Sequence, residues 1–334
     1  MFWDMTDKSM TQRIGFVPVR NFALMSYASA TEPLRAANLI SGSPLYEVVP
    51  LSVNAASVSC SAGFDLKCQD LAETGDTFHT IFVCAGGGPA DWAGADSLYP
   101  HLRKLARQGV KIGAISSGAY MLAAAGLLDH HEFTIHWEHA ALLRETFPHL
   151  TPRQTRFVID GARITCGGGV APLDMMHALI TDRMGADFAR RVSDWYLHTA
   201  VGDSVDPQRG SSAERFGTHH RVLLSVLEKM EISIENPLSR DAMATWAGVS
   251  TRHLNRLFIE HQDTTFSSAY RAIRLKHARR LIEQSALSVS QVAFATGFSN
   301  AAQFSNAFTA FFGLRPKDAR RAAKTARSAE YALE

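Results

Sequence analysis

The sequence has little cysteine and no long hydrophobic run, and both absences narrow its class. Its four cysteines, Cys60, Cys68, Cys84 and Cys166, are too few for a disulfide framework in 334 residues, and their spacing fits no zinc motif. No stretch reaches the roughly 18 apolar residues that a membrane span needs. The first fifteen residues lack the apolar core of a signal peptide. We therefore expect a cytoplasmic protein with no metal, no cofactor and no membrane partner.

Charged residues make up 20% of the chain, which is ordinary for a globular protein, but they are unevenly distributed. Residues 1–218 contain 18 Lys and Arg against 22 Asp and Glu, a net charge of −4, whereas residues 219–334 contain 16 against 10, a net charge of +6. The chain is long enough for two domains of about 100–200 residues each. An acidic first part joined to a basic last part indicates that the end of the chain binds a polyanion.

The first part alternates short apolar strands with helices. Strands are predicted at residues 13–19, 46–53, 80–85 and 109–115, with a further strand end at 162–169, and helices at 32–40, 102–108, 119–125, 173–184 and 186–197. This alternation is typical of a parallel sheet that is covered by helices on both faces.

The composition changes near residue 199. Residues 199–218 are polar and rich in Gly, Ser and Pro, which indicates an interdomain linker, and after it only helical segments follow. The predicted organisation is a flexible N-terminus at 1–12, an α/β domain at 13–198, a linker at 199–218, an all-α domain at 219–320 and a flexible tail at 321–334.

The all-α part contains one helix-turn-helix pattern twice. Each copy has an inner alanine, a glycine four residues later and a serine two residues after the glycine: Ala244, Gly248 and Ser250, then Ala293, Gly297 and Ser299. The alanine lets two helices approach closely, the glycine accepts a positive φ, and the serine can cap the second helix. Two copies in register within a basic segment predict recognition helices for the major groove of DNA.

The second copy continues through Phe304 and Phe308 to the segment Phe312-Gly313-Leu314-Arg315-Pro316. With these residues, positions 219–320 resemble the AraC/XylS family of transcription regulators. The resemblance implies seven helices, of which two enter successive major grooves of double-stranded promoter DNA. We expect an activator, which would also have RNA polymerase as a partner.

The predicted DNA contacts lie on the two recognition helices. The first presents Thr251, Arg252, Asn255 and Arg256, and the second presents Asn300, Ala301, Ala302, Gln303, Ser305 and Asn306. Arginine can bond guanine edges and asparagine can bond adenine, although Arg256 could equally bind phosphate. The family commonly has an arginine where this chain has Asn306, so the second helix lacks positive charge. Between the two motifs, a basic helix is expected to direct some of its cations to phosphate and others to solvent: Arg271, Arg274, Lys276, Arg279 and Arg280.

The first part contains a strand, a tight turn and a helix at Ile115-Ser116-Ser117-Gly118. This is the layout of a nucleophile elbow, which exposes a side chain at the end of a strand beside a helix N-terminus. Residues 118–129 and 134–137, with the glycine runs at 86–88 and 167–169, resemble the PfpI-like branch of the class I glutamine-amidotransferase-like fold, and in particular the branch that is fused to AraC-type domains. The resemblance implies a flavodoxin-like α/β parallel sandwich.

Catalytic members of that superfamily have a cysteine at the elbow, with a histidine and an acid nearby. This chain has Ser116 there, and the matching helpers are Glu32 and His136. A serine hydroxyl is not ionised near neutral pH, which argues against thiol chemistry and favours a catalytically inactive sensing domain. The alternative is a PfpI-like or serine-type hydrolase that uses Ser116 with His136 and an acid, and in which DNA binding is secondary.

We favour the interpretation that the first domain binds an effector at the elbow. The backbone amides of Gly87, Gly88 and Ser117 could bind a carboxylate, and Glu32 and Trp137, with Phe22 or Tyr27, could bind a cation. Residues 135–138 resemble those of regulators of quaternary-amine catabolism, such as that of glycine betaine or carnitine, and related regulators sense arginine. We therefore predict a homodimeric regulator of amine or amino-acid catabolic genes. Its small zwitterionic effector, a quaternary amine or an amino acid, would be bound by Glu32, Gly87, Gly88, Ser116, Ser117, His136 and Trp137.

Overall fold

A computed structural model describes residues 10–74, 78–210 and 212–332 of the chain. It divides into two units, Met1–Gln208 and Arg209–Glu334. Most of the predicted flexible N-terminus, residues 1–9, lies outside the described residues.

The first unit is built on a sheet of seven strands in the order β5-β2-β1-β6-β7-β9-β8. Only β8 runs antiparallel to its neighbour, and β3 and β4 form a separate two-stranded hairpin. The strands are β1 (Gln12–Pro18), β2 (Tyr46–Ser52), β3 (Ser57–Ser59), β4 (Asp65–Lys67), β5 (Gln69–Asp70), β6 (Thr80–Ala85), β7 (Lys111–Ser116), β8 (Phe157–Asp160) and β9 (Arg163–Cys166).

Helices cover both faces of this sheet, which explains why the middle residues of its central strands are apolar on both faces. They are α1 (Leu24–Ser41), α2 (Tyr99–Arg107), α3 (Gly118–Ala124), α4 (Ala140–Thr146), α5 (Ala171–Met184) and α6 (Ala186–Trp195). Alternate strand residues enter different cores: Phe16 stacks on Phe82 in one, with ring centroids 5.5 Å apart, while Val83 packs in the other. This is the predicted flavodoxin-like α/β sandwich.

Strand register brings the candidate site together. Ala85 of β6 is paired with Ser116 of β7, and Ile115 is paired with Cys166 of β9. These strands are parallel and end at one edge of the sheet, so the segments that follow them, residues 86–88, 116–118 and 167–169, meet there.

The second unit contains the short helix α7 (Ser212–Phe216) followed by seven longer elements, the number that the family resemblance implies. They are α8 (Arg221–Ile232), α9 (Arg240–Trp246), α10 (Thr251–Gln262), α11 (Phe266–Gln284), α12 (Val289–Ala295), α13 (Ala301–Phe312) and α14 (Pro316–Ala332). Because α14 extends to Ala332, most of the segment predicted as a flexible tail at 321–334 is helical.

The predicted linker at 199–218 is divided between the units. The boundary falls after Gln208, so residues 199–208 belong to the first unit. In the second unit, Arg215 of α7 donates to Glu231 of α8 at 2.9 Å, which fixes the end of the predicted linker against the helical domain.

Candidate ligand site and nucleic-acid interface

Ser116 lies on a sharp turn at the end of β7. Its φ of 58° is in the left-handed region, which a residue other than glycine rarely adopts. A Cβ on Gly118 would overlap the carbonyl of Val83, and one on Gly168 would lie 2.6 Å from the Ser116 Cβ. Glycine is therefore needed on both sides of the elbow, and this packing holds Ser116 in its strained conformation.

His136 lies beside the elbow through its backbone. Its N–H donates to the Ser116 carbonyl at 3.3 Å, while its ring accepts a hydrogen bond from the backbone N–H of Glu138 at Nδ1, at 3.4 Å. Burial lowers the pKa of His136, which favours the neutral ring. A neutral imidazole that accepts at Nδ1 carries its proton on Nε2.

Ser117 is engaged on the opposite side of the turn and is fully buried. Its hydroxyl is 2.9 Å from Nδ1 of His139, a partner that the sequence reasoning missed, and the His139 ring stands edge-on to Trp92 at 5.3 Å. The Ser117 N–H, which we predicted to bind an effector carboxylate, is directed to the Ala85 carbonyl at 3.4 Å.

The glycine run after β6 already holds an internal carboxylate. The N–H of Gly88 donates to Asp91 Oδ2 at 2.7 Å, and Asp91 is buried. Gly87 has a φ of 56°, and a Cβ there would overlap the same carboxylate. The prediction that the Gly88 amide receives the carboxylate of an effector is therefore wrong, because Asp91 occupies that position.

Glu32 forms an ion pair within its own helix. Its carboxylate accepts from Arg35 Nε at 2.8 Å and from the Tyr196 hydroxyl at 3.2 Å, and the bond to Arg35 is the main reason why its pKa is lowered. Helix α1 contacts the glycine run at residues 167–169 through Ser26, whose hydroxyl accepts from the Gly169 N–H at 2.8 Å. Glu32 follows Ser26 by six residues, which is a rotation of about 240° around the axis of α1. Its side chain therefore leaves the helix in a different direction from that of Ser26.

The aromatic residues that we predicted to bind the cation differ in their burial. Phe22 and Tyr27 are buried and pack against each other at 5.4 Å, so both belong to the core. Trp137 is half-buried, its ring lies 5.4 Å from that of His136, and its backbone N–H donates to Gln208 Oε1 at 2.8 Å. Of the predicted aromatics, only Trp137 is partly accessible.

The cysteines nearest the site are buried. Cys84 is the last residue but one of β6, and Cys166 is the last residue of β9. Desolvation raises the pKa of both thiols, that of Cys166 to about 12. They are small core residues rather than nucleophiles.

In the second unit, the first helix-turn-helix consists of α9 and α10. Ser250 caps α10 by accepting from the His253 N–H, and Gly248 has a φ of 67°. Arg252 and Arg256 are exposed and Asn255 is partly exposed, whereas Leu254 and Phe258 are fully buried. The Thr251 hydroxyl donates to Asp241 Oδ1 of α9 at 3.0 Å, so it already has a hydrogen-bond partner on the preceding helix.

The second helix-turn-helix consists of α12 and α13 and contains one more residue after its turn. As a result, Asn300, not Ser299, caps α13: its Oδ1 accepts from the Gln303 N–H at 2.8 Å. The predicted reading positions are exposed at Ala302, Gln303 and Asn306 and partly exposed at Ala301 and Ser305. The outer face of α13 is therefore neutral.

Arg274 of α11 is structural rather than a phosphate ligand. Its guanidinium donates to the Thr296 and Gly297 carbonyls at 2.7 and 2.6 Å and lies over the Phe298 ring at 4.3 Å. A cation that binds the last carbonyls of a helix also interacts favourably with its dipole. Arg271, one turn earlier on the same helix, is exposed and remains a candidate for phosphate.

Within residues 10–74, 78–210 and 212–332, no group of three or more potential metal ligands occurs. Across the same residues, no helix combines the length and apolar character that a membrane span requires.

Comparison with known proteins relates both units to characterised families. Residues 243–322 match the helix-turn-helix domain and residues 22–182 match the DJ-1/PfpI family. The chain is 62% identical to the HTH-type transcriptional regulator GlxA of Rhizobium meliloti (strain 1021), over 95% of this chain and 98% of that protein. It is 31% identical to the isonitrile hydratase of Pseudomonas putida, over 53% of this chain and 77% of that enzyme.

Among solved structures, an AraC family transcriptional regulator from Pseudomonas putida is similar over 55% of this chain and 99% of its own length, with a TM-score of 0.51 and 25% identity.

Proposed function

This chain belongs to the HTH-type transcriptional regulators that join a DJ-1/PfpI domain to an AraC-type helix-turn-helix domain, and we propose that a small ligand bound beside Ser116 controls its binding to promoter DNA. In this proposal the first unit senses and the second unit reads DNA. Activation of transcription through RNA polymerase, a homodimeric state, and amine or amino-acid catabolic genes as targets are parts of the same proposal.

The hydrogen bonding of His136 is the observation that supports a sensing role. A serine hydrolase needs an imidazole that donates from Nδ1 to an acid and accepts the serine proton at Nε2. His136 has the opposite arrangement, because its Nδ1 accepts from the Glu138 N–H and its Nε2 therefore holds the proton. In the described part of the chain, the Ser116 hydroxyl has no hydrogen bond to a histidine or a carboxylate.

The ligand proposed for this site is a small zwitterion, either a quaternary amine or an amino acid. The accessible part of the Trp137 ring can receive its cationic group by cation–π contact. Glu32 is not assigned to this site, because it leaves α1 in another direction and is paired with Arg35 and Tyr196. Since the amides of Gly88 and Ser117 are already used, Gly87, the Ser116 hydroxyl and the Nε2–H of His136 are left for the carboxylate.

On the DNA side, the exposed residues of the recognition helices are assigned to the major groove. Arg252 and Asn255 of α10 are proposed to bond base edges, and Arg256 to bond either a base or phosphate. Ala302, Gln303 and Asn306 of α13 would read a second groove through neutral contacts, supported by Ala301 and Ser305. Thr251 and Asn300 would contribute from the start of each helix.

Titration calorimetry on the full chain tests the sensing role. We expect glycine betaine, carnitine, arginine or a related compound to bind, and Trp137→Ala to weaken that binding by tenfold or more. Trp195, which is about half exposed on α6, provides the matched control, since Trp195→Ala should leave binding unchanged. Absence of heat with every compound, together with normal activation by the Trp137 variant, would contradict the proposal.

The second candidate function is hydrolysis at Ser116. The strained φ of Ser116 and the similarity of the first unit to an isonitrile hydratase favour it. A generic ester substrate distinguishes the two functions: hydrolysis that Ser116→Ala abolishes would support an enzyme. Ligand-dependent DNA binding that survives in Ser116→Ala would support a sensor.

A further inference from the structure

The segment that leads out of the first unit is attached to it at several points. Asp174 of α5, whose side chain is fully buried, accepts from the Gly202 N–H at 2.8 Å and contacts Nε2 of His198 at 2.7 Å. Four residues further on, the Arg156 N–H donates to the Asp206 carbonyl at 2.8 Å. Residues 198–208 are thus a strap that lies on the sensing unit rather than a free linker.

The strap ends in a glutamine whose side chain is inserted into the unit. Oε1 of Gln208 accepts from the Trp137 N–H at 2.8 Å. Its Nε2 lies within hydrogen-bond distance of the Thr134 hydroxyl and the carbonyls of Ile135 and Thr155, at 2.8–2.9 Å. An amide NH2 has two protons for these three acceptors, so all of its donor capacity is used.

The carboxamide also fills the space above Gly167. A Cβ on Gly167 would lie 2.5 Å from the Gln208 Cδ, so a larger residue does not fit at this position while the Gln208 carboxamide is in place. The same two segments hold the elbow: His136 donates to the Ser116 carbonyl, and Gly168 packs on the Ser116 side chain. One side chain therefore bridges both walls of the candidate ligand site.

We propose that Gln208 is a latch that fastens the end of the strap to the walls of the Ser116 site, and that a ligand which shifts residues 135–137 releases it. The release step rests on the proposed ligand-sensing function, whereas the latch itself does not. Arg209, the next residue, is the first of the DNA-binding unit. Release of residues 203–208 would lengthen the tether to that unit by at most about 20 Å, at about 3.3–3.6 Å for each fully extended residue.

Hydrogen exchange at the backbone amides of residues 203–206 and 208 in the full chain tests the latch, since Pro207 has no N–H. Gln208→Ala should accelerate exchange there by tenfold or more. Gly167→Ala should have the same effect without altering the latch residue, because its new methyl group displaces the carboxamide. The Gln208→Ala/Gly167→Ala pair should exchange no faster than Gln208→Ala alone, since the methyl group then has room. The control Gln154→Ala removes an exposed side chain in the segment before β8 and should change nothing, because this residue contacts the strap through its backbone carbonyl, which accepts from the Gln208 N–H.

Gln208→Glu provides a second variant of nearly equal size. It keeps the acceptor for Trp137 but turns the donor end into an oxygen that faces the Ile135 and Thr155 carbonyls, so it should also open the strap. Unchanged exchange in Gln208→Ala and Gln208→Glu, or fully additive effects of Gly167→Ala and Gln208→Ala, would overturn the latch.

The release step has its own measurement, which separates it from the latch. With glycine betaine, carnitine and arginine as probes, wild-type exchange at 203–208 should rise towards that of Gln208→Ala when the bound compound is present. Fast exchange in Gln208→Ala, together with binding that leaves wild-type exchange unchanged, would keep the latch and overturn release. Binding of none of the probes, in the calorimetric test above, would contradict the sensing function and leave the exchange result of the latch standing.

Discussion

Gly248 and Gly297 occupy the same position in two copies of one motif, with φ values of 67° and 71°, yet their surroundings differ. A Cβ on Gly248 would meet no atom within 4 Å, whereas one on Gly297 would lie 2.6 Å from Pro237 Cδ and 2.7 Å from the Ile234 carbonyl. The second turn is further bound by the Arg274 guanidinium. The first turn is open.

Exposed positive charge lies on the copy whose turn is open and not on the copy whose turn is enclosed. The recognition helix of the open first motif exposes Arg252 and Arg256, whereas that of the enclosed second motif exposes Ala302, Gln303 and Asn306. The motif therefore fixes the backbone of both copies, while the neighbouring elements and surface residues determine what each copy does. One copy is anchored by packing, and the other exposes the positive charge that we propose attracts DNA.

The largest difference between the copies is expected for alanine at the two glycines. Gly297→Ala combines the cost of a left-handed alanine with an overlap that its neighbours cannot avoid, a loss of about 2–5 kcal/mol in local stability. Gly248→Ala should lose only the conformational part, about 1–2 kcal/mol. Hydrogen exchange of α10 and α13 amides in the full chain gives both values, and equal losses would remove the contrast.

A smaller loss of about 2–3 kcal/mol is expected for Arg274→Met, because two hydrogen bonds from a charged donor to the end of α12 disappear together with the contact on Phe298. Arg271→Met, on the exposed face of the same helix, is the matched control and should leave stability within about 0.5 kcal/mol of wild type. Urea unfolding, monitored by hydrogen exchange at the α12 amides, measures the loss of stability in both variants. An equal effect of the two substitutions would mean that Arg274 does not anchor the second turn.

Arg252→Ala should weaken specific DNA binding by about 1–3 kcal/mol, because a bidentate contact to a base edge is lost. Gln303→Ala, the corresponding change on the neutral helix, should cost less and leave the salt dependence of binding unchanged. Titrations at several salt concentrations on a duplex selected from random DNA provide the comparison. Identical salt slopes for wild type and Arg252→Ala, with unchanged affinity, would contradict the role of Arg252.

The smallest effect is expected when charge is added to the second copy. Asn306→Arg should strengthen binding and steepen the slope of log affinity against log salt by at most about 0.9, the value for one phosphate contact. Asn306→Gln, which adds length without charge, should leave the slope unchanged. A steeper slope in both variants would show that length, rather than charge, limits this helix.

The fold follows from the sequence wherever burial produces a continuous pattern. β6 is found at the predicted residues because all six of its residues are buried and the five after Thr80 form a continuous apolar run. Helix α1 begins eight residues before the predicted start at residue 32, since its first turn follows Ala23, which provides no side-chain cap. The antiparallel edge strand β8 has only four residues and was not predicted.

The candidate site was predictable only in its local part. The turn at Ser116 is visible in a few consecutive residues, and so are the two turn glycines of the helix-turn-helix copies. Ser26, His139 and Gln208 could not be identified, because their partners lie 143, 22 and 71 residues away in the chain. Asp91 lies only three residues from Gly88 and was predictable in principle, as a carboxylate just beyond a glycine run can bind its amides.

Binding-site selection with wild type, Arg252→Ala and Gln303→Ala would show whether the first copy reads bases with charge while the second binds through neutral contacts. We expect two base clusters about one helical turn apart. The more strongly specified cluster should lose its preference at one position in Arg252→Ala and remain intact in Gln303→Ala. Two equally specified clusters, both unaffected by Arg252→Ala, would contradict this expectation.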